Sequence, residues 1–339
     1  MATAQLRPHR SGNRTATLRV DGLTVEITRR GRSGRAINGV SLEVWPGEIV
    51  GLIGESGSGK SMTALSVLGL NPPGTKVVQG EIHLGEESLT AMSSSEMRRV
   101  RGRRVAMVPQ DAMAAMNPVL RVNTQVGEPF VVHRRLSWSA AKEKAVPLLR
   151  SVHVPSPAQR GRDYPHQFSG GMLQRAMIAM GLALEPELLI ADEPTTALDV
   201  TIQAQVLRLL GEVRDKHGTA ILFITHDLGV VAEVCDWVYV MYAGRIVEEG
   251  SVESILNKPS HPYTQALLRA TPSLEARREE LESIEGRMPA PFEWSAACRF
   301  ADRCPFRFEH CAEEPPLLAV ESEHAARCWL VEDDREKHS

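Results

Sequence analysis

Residues 54–61 form the strongest chemical pattern in the sequence, because they match the spacing G-x-x-x-x-G-K-[S/T] completely. Glycines at these positions let backbone N–H groups curl around phosphate oxygens without a clash from Cβ. We expect Lys60 to neutralise the β- and γ-phosphates of a nucleotide, and the Ser61 hydroxyl to ligate Mg²⁺. A helix predicted for 61–70 would direct its positive N-terminus at the anion. The predicted nucleotide contacts are Gly54, Glu55, Ser56, Gly57, Ser58, Gly59, Lys60, Ser61 and Met62.

Two adjacent carboxylates, Asp192 and Glu193, follow the apolar run 188–191. Two acids at the end of a buried strand are costly unless a cation lies near them. Alone, such a pair of acids is more often part of a solvated turn. Because the chain also contains a phosphate-binding loop, a functional role for the pair is favoured. We predict that Asp192 holds Mg²⁺ and that Glu193 is the general base that polarises an attacking water.

The elements that position these residues follow from hydrophobic periodicity. Apolar and polar residues alternate between about 17 and 50, which predicts strands with turns at 31–34 and 46–47. Strands alternating with helices predict an α/β fold with a parallel sheet that binds ligands at its carboxyl end. The further predicted elements are buried strands at 48–53, 188–190 and 221–224, helices between about 120 and 183 with a kink or a start at Pro147, an amphipathic helix at 201–217 that ends at Gly218, and a charged helix at 274–284.

Length and composition limit the classes of function. The 339 residues predict one large domain with an extension, and a net charge of −3 gives no basic field for nucleic acid. No apolar run approaches the roughly 18 residues of a membrane helix, and no secretory signal is present. We therefore expect a cytosolic protein that meets a membrane only through partners. The arginine-rich residues 1–16 are predicted to be a disordered basic tail, with a transit peptide as the alternative.

The segment 168–174, with the sequence FSGGMLQ, resembles the signature motif of ABC proteins, which is usually written LSGGQ. Gln110 is similar to their Q-loop, 197–199 to their D-loop and His226 to their switch histidine, in the same order along the chain. The resemblance implies a P-loop NTPase fold, the ABC nucleotide-binding domain. That fold has a RecA-like core, an antiparallel β subdomain and a helical signature subdomain at about 115–185.

The same resemblance implies that ATP is sandwiched between two nucleotide-binding domains. The implied catalytic residues are Glu193, His226 and Gln110, and the implied magnesium ligands are Ser61, Gln110 and Asp192. Facing the partner's ATP would be Ser169, Gly170, Gly171, Met172, Gln174 and Asp199. The sequence departs from the family at Ile27, where an adenine-stacking aromatic is usual, and at Leu173, which replaces a polar residue.

Residues 110–120 and 261–268 resemble the ATPases of dipeptide and oligopeptide importers, and the likeness covers about 17–330. It implies an ATPase that powers peptide uptake, peripheral to the cytoplasmic face of the bacterial inner membrane. The implied partners are a second, homologous ATPase in a heterodimer, two membrane permeases and, indirectly, an extracytoplasmic peptide-binding protein. Importers of nickel and other small solutes share this branch. A non-transport ABC protein is disfavoured because the chain has one cassette and no heptad run.

Four cysteines, at C-x5-C-x6-C-x16-C spacing, lie near the end of the chain: Cys298, Cys304, Cys311 and Cys328. In a reducing compartment such a cluster suggests metal rather than disulfides, either zinc or iron–sulfur. The spacing lacks the short C-x2-C pairs typical of structural zinc. The family resemblance implies a 4Fe-4S cluster, with zinc or unliganded thiols as alternatives. We predict a nucleotide-binding domain at 17–256, a small metal-binding extension at 257–332 and a tail at 333–339.

Overall fold

The computed structural model describes residues 15–196, 198–270 and 284–332. The chain divides into two compact units. The first unit comprises Met1–Glu43, Val50–Thr90 and Thr225–Ser339, and the second comprises Val44–Ile49 and Ala91–Ile224. Most of the predicted N-terminal tail, the C-terminal tail and the helix predicted at 274–284, except its last residue, lie outside the described residues.

An antiparallel sheet in the first unit contains β1 (Leu18–Arg29), β2 (Arg32–Val44), β4 (Thr75–Leu84) and β5 (Glu87–Ser88), in the order β2-β1-β4-β5. On β1, Leu18 and Val20 are buried, whereas Arg19 and Asp21 are exposed. This alternation is expected for a strand with one buried face. The strands predicted between 17 and 50 are therefore confirmed. The first turn is at residues 30–31, slightly earlier than predicted.

A second set of strands in the first unit has the order β11-β12-β10-β9-β3. Its central pair, β3 (Ile49–Ile53) and β9 (Trp237–Tyr242), is parallel and completely buried. Outside this pair lie β10 (Arg245–Ser251), β11 (Leu318–Glu321) and β12 (His324–Ala326), joined by antiparallel pairing. The helices of this unit are α1 (Lys60–Val67), α9 (Leu228–Val234), α10 (Val252–Asn257) and α11 (Pro262–Ala270). The C-terminal strands β11 and β12 thus extend the group of strands that contains β3, which leads into the phosphate loop.

A core of the first unit joins α9, α10 and α11 to the C-terminal residues. Its aromatic centre is Tyr242, Tyr263 and Phe300, with ring centroids 4.6 to 5.5 Å apart. Phe300 immediately precedes the short 3₁₀ helix Ala301–Arg303, and a second one lies at Glu309–Ala312. Close-packed aromatic rings bury large apolar area, so this cluster ties α11 and the segment around Phe300 to β9.

The second unit carries three parallel strands in the order β8-β7-β6: β6 (Val105–Val108), β7 (Leu188–Asp192) and β8 (Ala220–Thr225). Continuous burial of β7 and β8 is typical of parallel strands covered on both faces. These strands confirm the predictions for 188–190 and 221–224. The helices are α2 (Ser94–Val100), α3 (Ala112–Ala115), α4 (Val122–Arg134), α5 (Trp138–Ser151), α6 (Pro157–Arg160), α7 (Gly170–Leu182) and α8 (Val200–His217), with a 3₁₀ turn at Pro165–Gln167.

Two helices of this unit differ in how well capping residues and prolines in the sequence indicate their ends. Helix α8 begins after Asp199, whose Oδ1 accepts from Ile202 N at 3.0 Å, and ends at Gly218 with φ of 65°, as predicted. Helix α5 does not start at Pro147, because it contains that residue in its interior. Its buried residues Ala145 and Leu149 flank the proline, so packing of this face holds the helix despite one lost hydrogen bond.

Among the described helices, none combines the length and the apolar character that a membrane span requires.

Candidate functional site

The phosphate loop joins β3 to α1 and depends on its glycines. Gly54, Gly57 and Gly59 have φ values of 150°, 82° and 114°, which side chains of L-residues rarely tolerate. A Cβ on Gly54 would lie 2.1 Å from the carbonyl oxygen of Met241, and one on Gly59 would lie 2.7 Å from the Met241 methyl carbon. Strand β9 therefore packs directly against the loop: its backbone excludes a larger residue at Gly54, and the positive φ disfavours one at Gly59.

The lysine of this loop is buried and turned back onto it. Lys60 Nζ donates to the carbonyl oxygens of Gly54 at 2.6 Å and Glu55 at 2.9 Å. Ser56, Gly57 and Ser61 are exposed along the same loop. Helix α1 begins at Lys60, and its N-cap Gly59 offers no side-chain cap. The arrangement places a cation and a helix N-terminus beside an open glycine-rich backbone, which suits an anionic ligand.

The carboxylate pair lies at the carboxyl end of β7 in the second unit. Asp192 is buried, and Glu193 adopts φ of 47°, a conformation uncommon outside glycine. Glu193 Oε2 accepts hydrogen bonds from Gln110 Nε2 at 2.9 Å and from Thr196 Oγ1 at 3.0 Å. Backbone strain at a polar residue is typical of functional sites. Two donors on one oxygen fix the orientation of the Glu193 carboxylate, which can then accept a proton from water.

The structure thus brings together Gln110 and Glu193, which were both predicted, and adds Thr196, which was not. Its signal in the sequence is weak, because a hydroxyl three residues after an acid is common in turns. His226 is exposed immediately after β8. It precedes Asp227, whose Oδ1 accepts from Gly229 N at 2.8 Å and caps α9.

The predicted signature residues open α7. Ser169 is its N-cap and accepts from Met172 N at 3.4 Å, and Ser169 and Gly170 are exposed. A Cβ on Gly171 would lie 2.4 Å from Ile202, so glycine is required for the contact with α8. Gln174 is only 4% exposed, and its predicted contact with a partner's nucleotide stays a prediction. Exposed N–H groups at a helix start can bind phosphate.

The start of α11 is held by a buried carboxylate that the sequence did not indicate. Glu248 on β10 accepts from the backbone N–H groups of Ser260 at 2.6 Å and His261 at 3.1 Å, and His324 Nε2 lies 2.7 Å from its Oε1. Burial lowers the pKa of His261 to about 4, so its neutral Nδ1 can accept from Tyr263 N at 3.0 Å. These contacts fix the direction in which Tyr263 enters the core.

The four clustered cysteines line one cavity, together with aromatic side chains that include Phe300, Phe306 and Trp329. Burial raises the pKa of Cys298 to about 11 and of Cys328 to about 12, and it also raises the pKa of Cys304. In the described part of the chain, no three or more His, Cys, Asp or Glu side chains are grouped to hold a metal ion. The predicted metal-binding extension is therefore not supported by a metal site among these residues.

Comparisons with known proteins agree with the geometry. Residues 37–196 match the family model described as ABC transporter, and 247–311 match the model for the C-terminal region of oligopeptide/dipeptide transporters. A probable peptide ABC transporter ATP-binding protein, y4tR of Sinorhizobium fredii, is 52% identical over 298 residues, which cover 87% of this chain and 89% of that protein. The dipeptide transport ATP-binding protein DppD of Bacillus subtilis is 45% identical over 324 residues, 95% of this chain and 96% of its own.

Solved structures support the fold. A dimeric bacterial ABC transporter cassette superposes with a TM-score of 0.63 at 25% identity, covering 69% of this chain and 98% of its own. A dimeric cassette bound to ADP and phosphate gives the same TM-score at 24% identity. The α/β nucleotide-binding fold predicted from the sequence is confirmed.

Proposed function

The chain belongs to the ATP-binding subunits of peptide ABC transporters, and on that premise we propose that it hydrolyses ATP to power uptake of dipeptides or oligopeptides. One observation carries the proposal: a complete phosphate loop and the C-terminal region of peptide transporters occur in one chain and share one core. The proposed place of action is the cytoplasmic face of the inner membrane, where the protein is peripheral.

Nucleotide binding depends on charge and on backbone donors. Lys60 would neutralise the β- and γ-phosphates while the glycine backbone of 54–59 surrounds them. Ser61, Asp192 and Gln110 would hold Mg²⁺, whose preference is for oxygen ligands. The buried position of Asp192 supports this role, since a buried carboxylate gains from a nearby cation.

Hydrolysis would depend on Glu193 as the general base. The two donors on its Oε2, Gln110 and Thr196, would orient the carboxylate that takes a proton from the attacking water. His226 would contact the γ-phosphate. A base oriented before the substrate arrives needs little rearrangement during the reaction.

A second nucleotide-binding subunit is part of the proposed transporter assembly. Ser169, Gly170, Gly171, Met172, Gln174 and Asp199 would meet the ATP held by that partner, and the exposure of Ser169 and Gly170 supports such a contact. We propose a homologous rather than identical partner, together with two permeases and an extracytoplasmic peptide-binding protein. Neither nucleic acid nor a membrane-spanning segment of this chain is needed.

Reconstitution tests the proposal. Co-expressed with its proposed permease and partner ATPase subunits, the chain should co-purify with them and hydrolyse ATP faster when loaded peptide-binding protein is added. Uptake of labelled peptide into vesicles should follow ATP hydrolysis. Transport of Ni²⁺ in place of peptide would overturn the peptide substrate within the same branch of the family, and absence of hydrolysis in the complete assembly would overturn the function.

For the four cysteines, the finer proposal is a 4Fe-4S cluster ligated by Cys298, Cys304, Cys311 and Cys328. Their common cavity supports it, and so does the charge of a second cavity that shares Cys298 with the first. Arg299 and Arg245 in this second cavity both pair with Glu314, and the partly buried Arg327 donates to backbone carbonyls. This excess of guanidinium groups over carboxylates beside Cys298 would stabilise the negative charge of a thiolate-ligated cluster. When bound, the cluster would cross-link the extension.

The variant Cys304→Ser should lose the cluster. Protein purified without oxygen should show broad absorbance near about 400 nm and bound iron in the wild type, and little of either in the variant, because cluster assembly needs all four thiolates. Cys235→Ser is the matched control, since Cys235 does not line the cavity and should keep its iron content. Iron-free, colourless wild-type protein would contradict the cluster.

A further inference from the structure

Glu55, the second residue of the phosphate loop, accepts hydrogen bonds from a residue of the C-terminal extension. Arg303 donates from Nη1 to Glu55 Oε2 at 2.9 Å and from Nη2 to Glu55 Oε1 at 3.0 Å. The two residues are 248 positions apart and lie in the same compact unit. A fork of two charge-assisted hydrogen bonds fixes both the position and the plane of the carboxylate.

The arginine itself is rigidly held. Its side chain is 6% exposed, and its remaining donors reach the carbonyl oxygens of Glu285 at 2.8 Å and Ile284 at 3.2 Å and the Tyr242 hydroxyl at 3.3 Å. The guanidinium carbon lies 5.7 and 5.9 Å from the ring centroids of Tyr242 and Phe300. An arginine so enclosed cannot follow Glu55, so Glu55 must take the position that Arg303 defines.

A second contact from the extension side holds the backbone of the same residue. Glu55 N donates to the Tyr263 hydroxyl at 2.7 Å, and the Tyr263 ring packs against Tyr242. The carbonyl oxygen of Glu55 in turn accepts from Lys60 Nζ at 2.9 Å. A continuous series of hydrogen bonds therefore runs from Arg303 and Tyr263, through Glu55, to the lysine that binds phosphate.

We propose that Arg303 is a positioning residue for the phosphate loop, through which the C-terminal extension sets the affinity of the chain for ATP. The proposal rests on the proposed function and adds to it a regulatory contact: the extension controls the nucleotide site from outside the phosphate-binding motif. The donors of Arg303 are directed at Glu55, the Tyr242 hydroxyl and the carbonyl oxygens of 284–285, so its effect on ATP would be indirect. It acts by placing Glu55, which places the carbonyl group that orients Lys60.

The alternative role for the pair is simple attachment of the extension. Loss of attachment would lower thermal stability and leave the ATP affinity of the folded protein unchanged. Loss of positioning would weaken ATP binding in folded protein, and it would raise the KM for ATP more than it lowers kcat. The two roles therefore separate in measurements on the same variants.

The test is a double-mutant cycle in the full chain, with binding of a fluorescent, non-hydrolysable ATP analogue and Mg²⁺ as the readout. Glu55→Gln and Arg303→Gln should each raise the Kd roughly tenfold, and the double variant should be no weaker than the worse single variant. Arg303→Lys, which keeps the charge without the fork, should show an intermediate rise. Thermal unfolding of every variant reports the folded fraction.

Arg307→Gln is the matched control, because Arg307 in the same extension pairs with Asp302 at the surface, where the two side chains are 59% and 91% exposed. Its Kd should equal that of the wild type. Unchanged Kd in folded Arg303→Lys and Arg303→Gln, or fully additive effects in the double variant, would overturn the positioning role. If Arg303→Gln does not fold, Arg303→Lys and Glu55→Gln still decide it. A wild type that binds no ATP would instead overturn the proposed function.

Discussion

The variant Glu193→Gln will bind ATP and fail to hydrolyse it. An amide has nearly the shape of the carboxylate and can still accept from Gln110 and Thr196, but it cannot take a proton from water. Loss of a general base costs about 10²- to 10⁴-fold in rate. Phosphate release by the reconstituted assembly should fall by that factor, while binding of Mg²⁺ and ATP stays within about twofold of the wild type.

Trapped nucleotide is the more specific readout of this variant. If the closed, ATP-bound state can no longer be left by hydrolysis, the two nucleotide-binding subunits should stay associated through gel filtration in ATP, whereas the wild type separates. Glu212→Gln on α8 serves as the control, since Glu212 is an exposed carboxylate of the same unit. Turnover of Glu193→Gln at more than a third of the wild-type rate would remove Glu193 from the role of base.

The features of this protein that the sequence predicts are those determined by residues close together in the chain. The phosphate loop was predictable because its requirements lie within eight consecutive residues: positive φ at glycines, a preceding buried strand and a following helix. The same holds for the end of α8, because its stop Gly218 is adjacent to the last helical residue; its cap Asp199 was not predicted. Pro147 shows the limit of such rules, since the apolar face around it overrides the local penalty.

Contacts between residues far apart in the chain could not be predicted from the sequence pattern. Nothing in the spacing of Glu55 and Arg303 suggests that they meet, and the fork between them is set by the tertiary fold. Glu248 appears in the sequence as an ordinary charged residue of a strand, yet it is fully buried and holds the start of α11. The cysteine spacing predicted a shared location correctly, but the arrangement of the thiols around a cavity required coordinates.

Asp199 illustrates a residue with two compatible roles. The family resemblance assigns it to the surface that faces a partner's ATP, and the structure shows its Oδ1 capping α8. A cap uses one carboxylate oxygen and leaves the other open. Substitution of Asp199 would therefore destabilise the helix start by about 1 kcal/mol whether or not the partner contact exists, so stability must be measured beside activity.

The variant Lys60→Ala is expected to lose most of its affinity for nucleotide. The ammonium group is buried in the loop and donates to two of its carbonyl groups, so its removal takes away both the charge proposed to neutralise the phosphates and two hydrogen bonds that shape the loop. Hydrogen bonds to charged groups contribute about 1.5–3 kcal/mol, which predicts a rise in Kd for Mg²⁺ and ATP of roughly 10- to 150-fold. Equilibrium titration with a fluorescent ATP analogue measures it.

The control for this effect is Lys76→Ala, which removes an exposed lysine from β4 of the same unit and should leave the Kd unchanged. Far-ultraviolet circular dichroism shows whether each variant is folded. The size of the effect also bears on the Arg303 contact: if Glu55 acts on ATP by orienting Lys60, then Glu55→Gln should have no further effect in the Lys60→Ala background. An undiminished Glu55 effect in that background would mean that Glu55 reaches the nucleotide by another route.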